Sequence, residues 1–223
     1  MPGDSPFVLA SNSPRRRILL REAGFTFEIL SPRLDERETP HLSLRELTIT
    51  NALRKARIVG AERPSAVILG ADTLVSLDGE PIGKPRNLNH ARAILGRLSG
   101  KVHEVCTSVV IVAPNRPPAV LSEVSRVRFR DLSDTAIADY LATINPFDKA
   151  GAYAAQGAAG GKIIVWVEGS FTNVIGLPME RVVPALAQFG IAPASNAFRP
   201  RLQDPELKHA PVRASKHDRE TRQ

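Results

Sequence analysis

The sequence has 223 residues, enough for one large domain or two lobes that share a cleft; 43% are hydrophobic and 24% charged, a balance that excludes an intrinsically disordered protein. The formal net charge of +7 admits anionic partners such as nucleotides, nucleic acid or an acidic membrane surface. The single cysteine excludes an internal disulfide and a multi-cysteine zinc site, and no apolar run is long enough for a signal peptide or a membrane span, so we expect a cytoplasmic protein.

Apolar runs rich in β-branched residues predict strands, and helical periodicity predicts helices between them. The strands are expected at 6–11, 26–32, 66–77, 103–114, 124–132 and 162–170, and the helices at 14–23, 43–60, 87–98, 133–143 and 174–189. The segments 101–113 and 119–131 are typical of a hairpin. The sequence therefore predicts an α/β fold with a mixed sheet.

The first helix is preceded by "ASNSPRRR", in which Ser13 is the expected N-cap and Pro14 the first helical residue. A helix start exposes backbone N–H groups, and the hydroxyl of Ser11 and the guanidinium groups of Arg15 and Arg16 suit a phosphate. The alternative is an ordinary helix cap with solvated arginines.

Two charged elements follow in chain order. Asp35 and Glu36, in "RLDERE", come after a predicted strand and could hold Mg²⁺ through oxygen ligands, although such a charge run is more often a solvated face. Lys55, in the helical segment "NALRKARIVG", could face a cleft, but the pattern alone favours solvent.

Asp72, in "AVILGADTLVSL", interrupts a strongly apolar strand. A carboxylate buried there is costly unless it is paired, hydrogen-bonded or next to a metal, which makes Asp72 a candidate site residue. The alternative is a turn-capping carboxylate after Gly70. Lys84, in the turn sequence "IGKP", could direct its ammonium group to the same site or remain an exposed turn lysine.

The segment 145–162, "NPFDKAGAYAAQGAAGGK", is rich in glycines that permit a close approach of backbone to a ligand, although a flexible loop explains them equally well. Gln156 within it offers a donor and an acceptor in one plane, as reading a nucleobase edge requires. Asp148 and Lys149 could form a local ion pair. In "KVHEVC", strand alternation sends His103 and Glu104 to opposite faces, so we expect no site there.

The C-terminal segment 195–223 contains seven Lys/Arg and four Asp/Glu, which is three of the seven net positive charges, and almost no apolar period. We expect it to be a basic, flexible tail, which leaves the body with a net charge of only +4. We expect residues 1–194 to form a single domain.

Nine segments in chain order resemble the Maf family of nucleoside triphosphate pyrophosphatases: "LASNSPRR", "LDE", "LRKA", "GADTLV", "GKP", "LSGKVHEV", "DKAGAY", "QG" and "GSFTNVIGLPM". The resemblance covers the chain from about Val8 to about Phe189. It implies an elongated, twisted mixed sheet flanked by helices, and two lobes with an active-site cleft. It also implies hydrolysis of a nucleoside triphosphate to a monophosphate and pyrophosphate with Mg²⁺ or Mn²⁺, and makes a homodimer plausible.

The resemblance also implies roles for individual residues. Asp72 matches the catalytic carboxylate, which accepts a proton, and the phosphate-binding entrance of the cleft matches Ser11, Arg15 and Arg16. Further charged positions of the site match Lys55, Lys84 and Glu36, of which Glu36 is the expected metal ligand.

Three positions are similar to the branch that acts on dTTP and UTP, namely Arg15 after "SP", Thr73 after "GAD" and Gln156 before the glycine loop. This pattern favours dTTP and UTP as substrates, with modified pyrimidine nucleotides and purine specificity as alternatives. A nucleic-acid-binding protein would need clustered basic residues with interleaved aromatics, and aromatics are only 5% of this chain. A regulator of cell division without catalytic activity is the remaining alternative.

Overall fold

The computed structural model describes residues 6–32 and 42–194. The strands are β1 (Phe7–Ala10), β2 (Glu28–Ile29), β3 (Val67–Leu77), β4 (Glu80–Ile82), β5 (Val102–Val112), β6 (Ala119–Phe129) and β7 (Ile164–Glu168). The helices are α1 (Pro14–Glu22), α2 (Leu44–Glu62), α3 (Leu88–Leu98), α4 (Asp134–Leu141), α5 (Gly157–Ile163), α6 (Phe171–Ile175) and α7 (Met179–Gln188), with a single 3₁₀ turn at Ala150–Ala152. Asp35, Glu36 and the whole of the predicted tail, 195–223, lie outside the described residues.

The seven strands of the described residues form one mixed sheet. Its order is β2-β1-β3-β5-β6-β7, and β4 pairs with β3 beside this path. Strand β1 is parallel to β2 and β3, whereas the pairs β3–β4, β3–β5, β5–β6 and β6–β7 are antiparallel. The predicted mixed sheet and the hairpin of β5 and β6 are therefore confirmed.

Helices cover both faces of the sheet. On one face, α2 packs through Ala52, Ala56 and Val59 against Ile68 of β3 and Val110 of β5. On the other face lie two larger apolar clusters, one built around α1 and α7 and the other around α3 and α4. Because β3 and β5 are buried on both faces, their sequences are apolar almost throughout rather than alternating.

Three segments differ from the sequence prediction. The predicted single helix 174–189 is two helices, because Pro178 has no N–H to continue a helix and Gly176 has a φ of 139°. The glycine-rich segment is not all loop, since it contains the 3₁₀ turn and α5. Strand β4 was not predicted, because its three residues are too few for the alternation of apolar and polar residues to be recognised.

Across the ranges that the structure describes, no helix combines the length and the apolar character that crossing a membrane requires.

Candidate active site

The cleft occupies a gap along one edge of β3. Strand β1 pairs with β3 only as far as Ala10, opposite Gly70, and β4 begins to pair at Val75. Between these two neighbours, β3 residues 71–74 have no strand beside them on this edge in the described ranges. Asp72 and Thr73 therefore lie where the sheet is open, and side chains from both of its faces can meet there.

Gly70 brings α2 unusually close to this gap. A Cβ atom at this position would lie 2.3 Å from the carbonyl oxygen of Ala52 and 2.9 Å from the backbone nitrogen of Ala56, so only glycine allows the observed packing. The consequence is that the polar side chains of α2 on the same face can reach the strand. The glycine of "GAD" thus positions the residues that contact Asp72.

Asp72 is 2% exposed, and each of its carboxylate oxygens has a partner on α2. Lys55 Nζ lies 2.6 Å from Oδ1 and Asn51 Nδ2 lies 3.2 Å from Oδ2. The pairing required for a buried carboxylate is confirmed. Lys55 points into the cleft with an 11% exposed side chain, so the interpretation that it faces solvent is wrong.

Asn51 was not predicted from the sequence. It lies four residues before Lys55, and residues at this spacing share one face of a helix. A polar residue one turn before a lysine is too common to identify a site by itself. Asn51 can be recognised as a site residue only once the close approach of α2 to Gly70 is known.

Arg16 is built into the wall of the cleft. Its guanidinium donates to the carbonyl oxygens of Gly176 (Nε, 3.0 Å) and Ala71 (Nη1, 2.9 Å), and to the hydroxyl oxygens of Ser11 (Nη1, 3.2 Å) and Thr73 (Nη2, 2.9 Å). The residue is buried, so the alternative of a helix cap with solvated arginines is wrong for Arg16. The contact with Thr73 involves Arg16 and not Arg15.

Ser11 presents a hydrogen to the cleft. Its Oγ accepts from Arg16 Nη1 and from the backbone N–H of Ser13, each at 3.2 Å. A hydroxyl oxygen has two lone pairs, and both are used, whereas its own hydrogen has no acceptor among the described residues. Ser13 occupies the predicted N-cap position of α1 but makes no side-chain cap hydrogen bond. This helix start therefore offers the Ser11 hydrogen and its own backbone N–H groups as donors for an anion.

Arg15 crosses the mouth of the cleft. Its Nε donates to the carbonyl oxygen of Ile175 at 3.2 Å, and its Nη1 lies 3.9 Å from Oδ2 of Asp148. Nη1 is buried and makes no hydrogen bond with the described part of the chain. Burial lowers the pKa of Arg15, and the Asp148 carboxylate offsets part of this effect. An anion in the cleft would supply the missing acceptor.

The break between α6 and α7 holds both arginines. The carbonyl groups at the end of a helix lack intrahelical partners, and those of Ile175 and Gly176 accept from Arg15 and Arg16. An uninterrupted helix over 174–189 would have used these carbonyls internally. The helix break, which was not predicted from the sequence, is therefore part of the site.

The segment after Asp148 closes the opposite wall. The backbone N–H of Gly151 donates to the carbonyl oxygen of Gly83 at 3.2 Å, which fixes this segment beside Lys84. Gly151 has a φ of 73°, and a Cβ there would lie 3.0 Å from the Tyr153 ring. The predicted local ion pair of Asp148 with Lys149 is confirmed.

A buried aromatic cluster supports Tyr153 from behind. His103 Nε2 lies 3.0 Å from the Tyr153 hydroxyl oxygen, and both rings pack edge-to-face against Phe129. Burial lowers the pKa of His103 to about 4 and raises that of Tyr153, so both are neutral at pH 7. Glu104 is exposed, which confirms the predicted alternation of this strand.

These elements enclose a cavity of about 360 Å³. Of the predicted site residues, those that line it are Ser11, Arg15, Arg16, Lys55, Asp72, Thr73 and Lys84. Gln156 is half-buried at the N-cap of α5 and does not line the cavity, although Ala155 beside it does. Glu36 lies outside the described residues, and within them no cluster of three or more His, Cys, Asp or Glu could hold a metal.

Comparisons with known proteins show which family this chain is similar to. A family model described as "Maf-like protein" matches residues 6–189. A dTTP/UTP pyrophosphatase of Symbiobacterium thermophilum is 46% identical, over 82% of this chain and 93% of the relative, and one of Akkermansia muciniphila is 43% identical, over 83% and 97%. Among solved structures, a nucleoside-triphosphatase described as a dITP/XTP pyrophosphatase from Mycobacterium abscessus has a TM-score of 0.41 at 14% identity, over 82% of this chain and 95% of its own.

Proposed function

Because the chain belongs to the Maf family, we propose that it hydrolyses nucleoside triphosphates, dTTP and UTP in particular, to the monophosphate and pyrophosphate. The observation that carries this proposal is a buried carboxylate, Asp72, at the edge of a 360 Å³ cavity that four basic side chains line. Pockets for small molecules have volumes of this order. An excess of positive charge suits a polyanion such as a triphosphate.

The triphosphate is held at the mouth of the cleft. The Ser11 hydroxyl and the buried Nη1 of Arg15 both lack an acceptor among the described residues, and phosphate oxygens are acceptors. The start of α1 adds backbone donors and a favourable dipole. Arg16 contributes mainly by fixing the wall, since four of its hydrogen bonds go to protein atoms.

Asp72 acts as the general base. It accepts a proton from water while the water oxygen bonds to the α-phosphorus and the bond from that phosphorus to the bridging oxygen breaks, so that pyrophosphate leaves. Each carboxylate oxygen already accepts one hydrogen bond, from Lys55 or Asn51, but retains a second lone-pair direction. The two contacts fix the carboxylate without saturating it, and Lys55 adds positive charge near the reacting phosphate.

The donor set suits Mg²⁺ or Mn²⁺ delivered with the substrate. Mg²⁺ is commonly bound by one or two carboxylates together with substrate phosphates. Asp72 supplies one carboxylate with free lone pairs, and Glu36 is the proposed second ligand. When bound, such a cation stabilises negative charge on the phosphate oxygens and the leaving group.

Base selection is proposed for Thr73 and Gln156. The subfamily pattern also included Arg15, but the hydrogen bond to Thr73 comes from Arg16, so Arg15 is better suited to the phosphates. We further propose that 1–194 is one catalytic domain and that 195–223 is an accessory tail. A cytoplasmic location, where nucleotides are abundant, and a homodimer are part of the same proposal.

The test is pyrophosphate release from ribo-, deoxy- and modified nucleotides with Mg²⁺ or Mn²⁺, using the wild type, Asp72→Asn and the exposed-turn control Asp78→Asn. We expect rapid release from UTP and dTTP, a loss of at least about 100-fold in Asp72→Asn with an unchanged circular dichroism spectrum, and normal rates in the control. Release from purine nucleotides alone would overturn the pyrimidine assignment. No release from any nucleotide would overturn the hydrolytic function.

A further inference from the structure

A chain of hydrogen bonds runs from Arg16 through two threonines to the α6 segment. Arg16 Nη2 lies 2.9 Å from Thr73 Oγ1, and Thr73 Oγ1 lies 2.9 Å from Thr107 Oγ1. Thr107 Oγ1 in turn lies 2.9 Å from the carbonyl oxygen of Asn173. Thr73 and Thr107 are directly opposite each other on β3 and β5, and Thr107 is fully buried behind the cleft.

The two ends of this chain determine the direction of every hydrogen bond in it. A guanidinium only donates and a backbone carbonyl only accepts. Thr107 has one hydroxyl hydrogen, which goes to Asn173, so Thr107 must accept from Thr73. The single hydrogen of Thr73 is thereby used, and Thr73 accepts from Arg16.

Thr73 therefore has no hydrogen left for the cavity that it lines. One of its two lone pairs receives the Arg16 hydrogen, and the other remains. Without Thr107, the hydroxyl could rotate and offer either a hydrogen or a lone pair to a ligand. With Thr107, it offers only a lone pair.

We propose that Thr107 is a specificity-determining positioning residue, which makes the Thr73 hydroxyl an acceptor-only group and so selects nucleotides that present a hydrogen-bond donor to it. This inference rests on the proposed function for the identity of the ligand. The donor is either a base N–H or a sugar hydroxyl. Uracil and thymine carry an N3–H donor, whereas cytosine has an acceptor at N3, so a base contact discriminates UTP from CTP.

Two variants separate this role from a structural one. Thr107→Val keeps the side-chain shape and removes the hydroxyl, and Thr107→Ser restores it. Ser125→Ala is the matched control, because Ser125 is also fully buried and accepts from Asn173 (Nδ2 to Oγ, 2.9 Å) but makes no hydrogen bond with Thr73. A loss caused only by disturbing α6 would appear in the control as well.

The measurements are kcat and KM for UTP, CTP and 3′-deoxy-UTP, and Kd by calorimetry for their non-hydrolysable α,β-methylene analogues. In Thr107→Val we expect the preference for UTP over one of the other two to fall about 3- to 10-fold, mainly through KM and Kd. A change against CTP identifies a base donor, and a change against 3′-deoxy-UTP identifies a sugar donor. Thr107→Ser should restore the preference and Ser125→Ala should retain it.

Preferences within twofold of the wild type in Thr107→Val would overturn the inference, as would an equal change in Ser125→Ala. If wild type binds the analogues with the expected pattern but releases no pyrophosphate, the proposed function fails and the inference stands. If no analogue binds, both fail. Should Thr107→Val not fold, Thr107→Cys retains a weak donor for Asn173 but is a poor acceptor for Thr73, and must shift the preference in the same direction.

Discussion

The Nζ atom of Lys55 lies 2.6 Å from Oδ1 of Asp72, and the two side chains are only 11% and 3% exposed. This ion pair joins α2, which covers one face of the sheet, to the central strand β3. Both of its charges are largely shielded from water. Removing one member of such a pair leaves the other charge buried and uncompensated, which is far more costly than the pair's net contribution. The stability of the fold and the chemistry of the site are therefore coupled.

This coupling predicts a non-additive mutant cycle. Lys55→Met should lower the free energy of unfolding by about 3 kcal/mol at pH 7, because Asp72 loses its cation. Lys55→Met combined with Asp72→Asn should lose clearly less than the sum of the two single variants. Urea unfolding at pH 7 measures all four proteins. Strict additivity would mean that the two groups do not interact in solution.

A matched pair of glycine variants tests the close approach of α2. Gly70→Ala should lower the free energy of unfolding by about 1–3 kcal/mol and reduce kcat/KM, because the new Cβ forces the Ala52 carbonyl, and with it α2, away from β3. Gly96→Ala, on α3, meets nothing within 4 Å and should stabilise the protein by about 0.5–1 kcal/mol. Equal effects of the two variants on denaturant unfolding would contradict the steric explanation.

His103 predicts a pH dependence of stability. Burial lowers its pKa in the folded protein to about 4, below the ordinary value of 6.5, so the unfolded chain binds more protons between these values. Stability should therefore fall as the pH drops from 6.5 to about 4, by roughly 3 kcal/mol from this residue.

His103→Phe isolates this contribution. The variant loses the hydrogen bond to Tyr153 at every pH, but its stability should decline less steeply in acid than that of the wild type. Above pH 7 the difference between the two proteins should be constant. Parallel stability curves of the two proteins down to pH 4 would show that the pKa of His103 is the same in the folded and unfolded states.

Removal of divalent cations should abolish hydrolysis. The described cavity has one deeply buried carboxylate, Asp72, so cation binding relies largely on the substrate phosphates and on the proposed ligand Glu36. EDTA should eliminate pyrophosphate release, and Mg²⁺ or Mn²⁺ should restore it. Calorimetry without nucleotide should show weak cation binding, in contrast to the tight binding of a site formed by protein ligands alone.

Deletion of 195–223 distinguishes an accessory tail from a functional one. The family match ends at residue 189, and the segment 195–223 carries three of the seven net positive charges. We expect kcat/KM for UTP to change less than twofold, while any affinity for DNA at low salt is lost. Retained DNA binding by the shortened chain would restore the alternative in which the body itself binds nucleic acid.

The sequence predicts the central strands well, because β3 and β5 are buried on both faces and thus apolar throughout. Asp72 is conspicuous for the same reason, as a carboxylate inside such a run. Helical periodicity is less informative about the polar face. It cannot show that Lys55 faces a buried partner, since that depends on how closely α2 approaches Gly70.

Other features depend on contacts between distant segments. Apolar periodicity continues across 174–189 because both short helices contribute to the same apolar cluster, whereas Pro178 and the positive φ of Gly176 break the helix between them. The assignment of Arg16 rather than Arg15 to Thr73 is likewise invisible in "SPRRR", where the two are adjacent. Which of the two arginines reaches Thr73 depends on how the start of α1 packs against β3 and α6.

The length of the gap beside β3 limits which ligand fits, so a change in this length would alter ligand choice without replacing any side chain that contacts the ligand. One further residue pair on β1 would cover the carbonyl of Ala71, and one further pair on β4 would cover Leu74. The width of the opening thus depends on how many residues of β1 and β4 pair with β3. Shortening or lengthening a neighbouring strand by insertion or deletion would resize the opening in steps of about 3.3 Å, the rise of one strand residue.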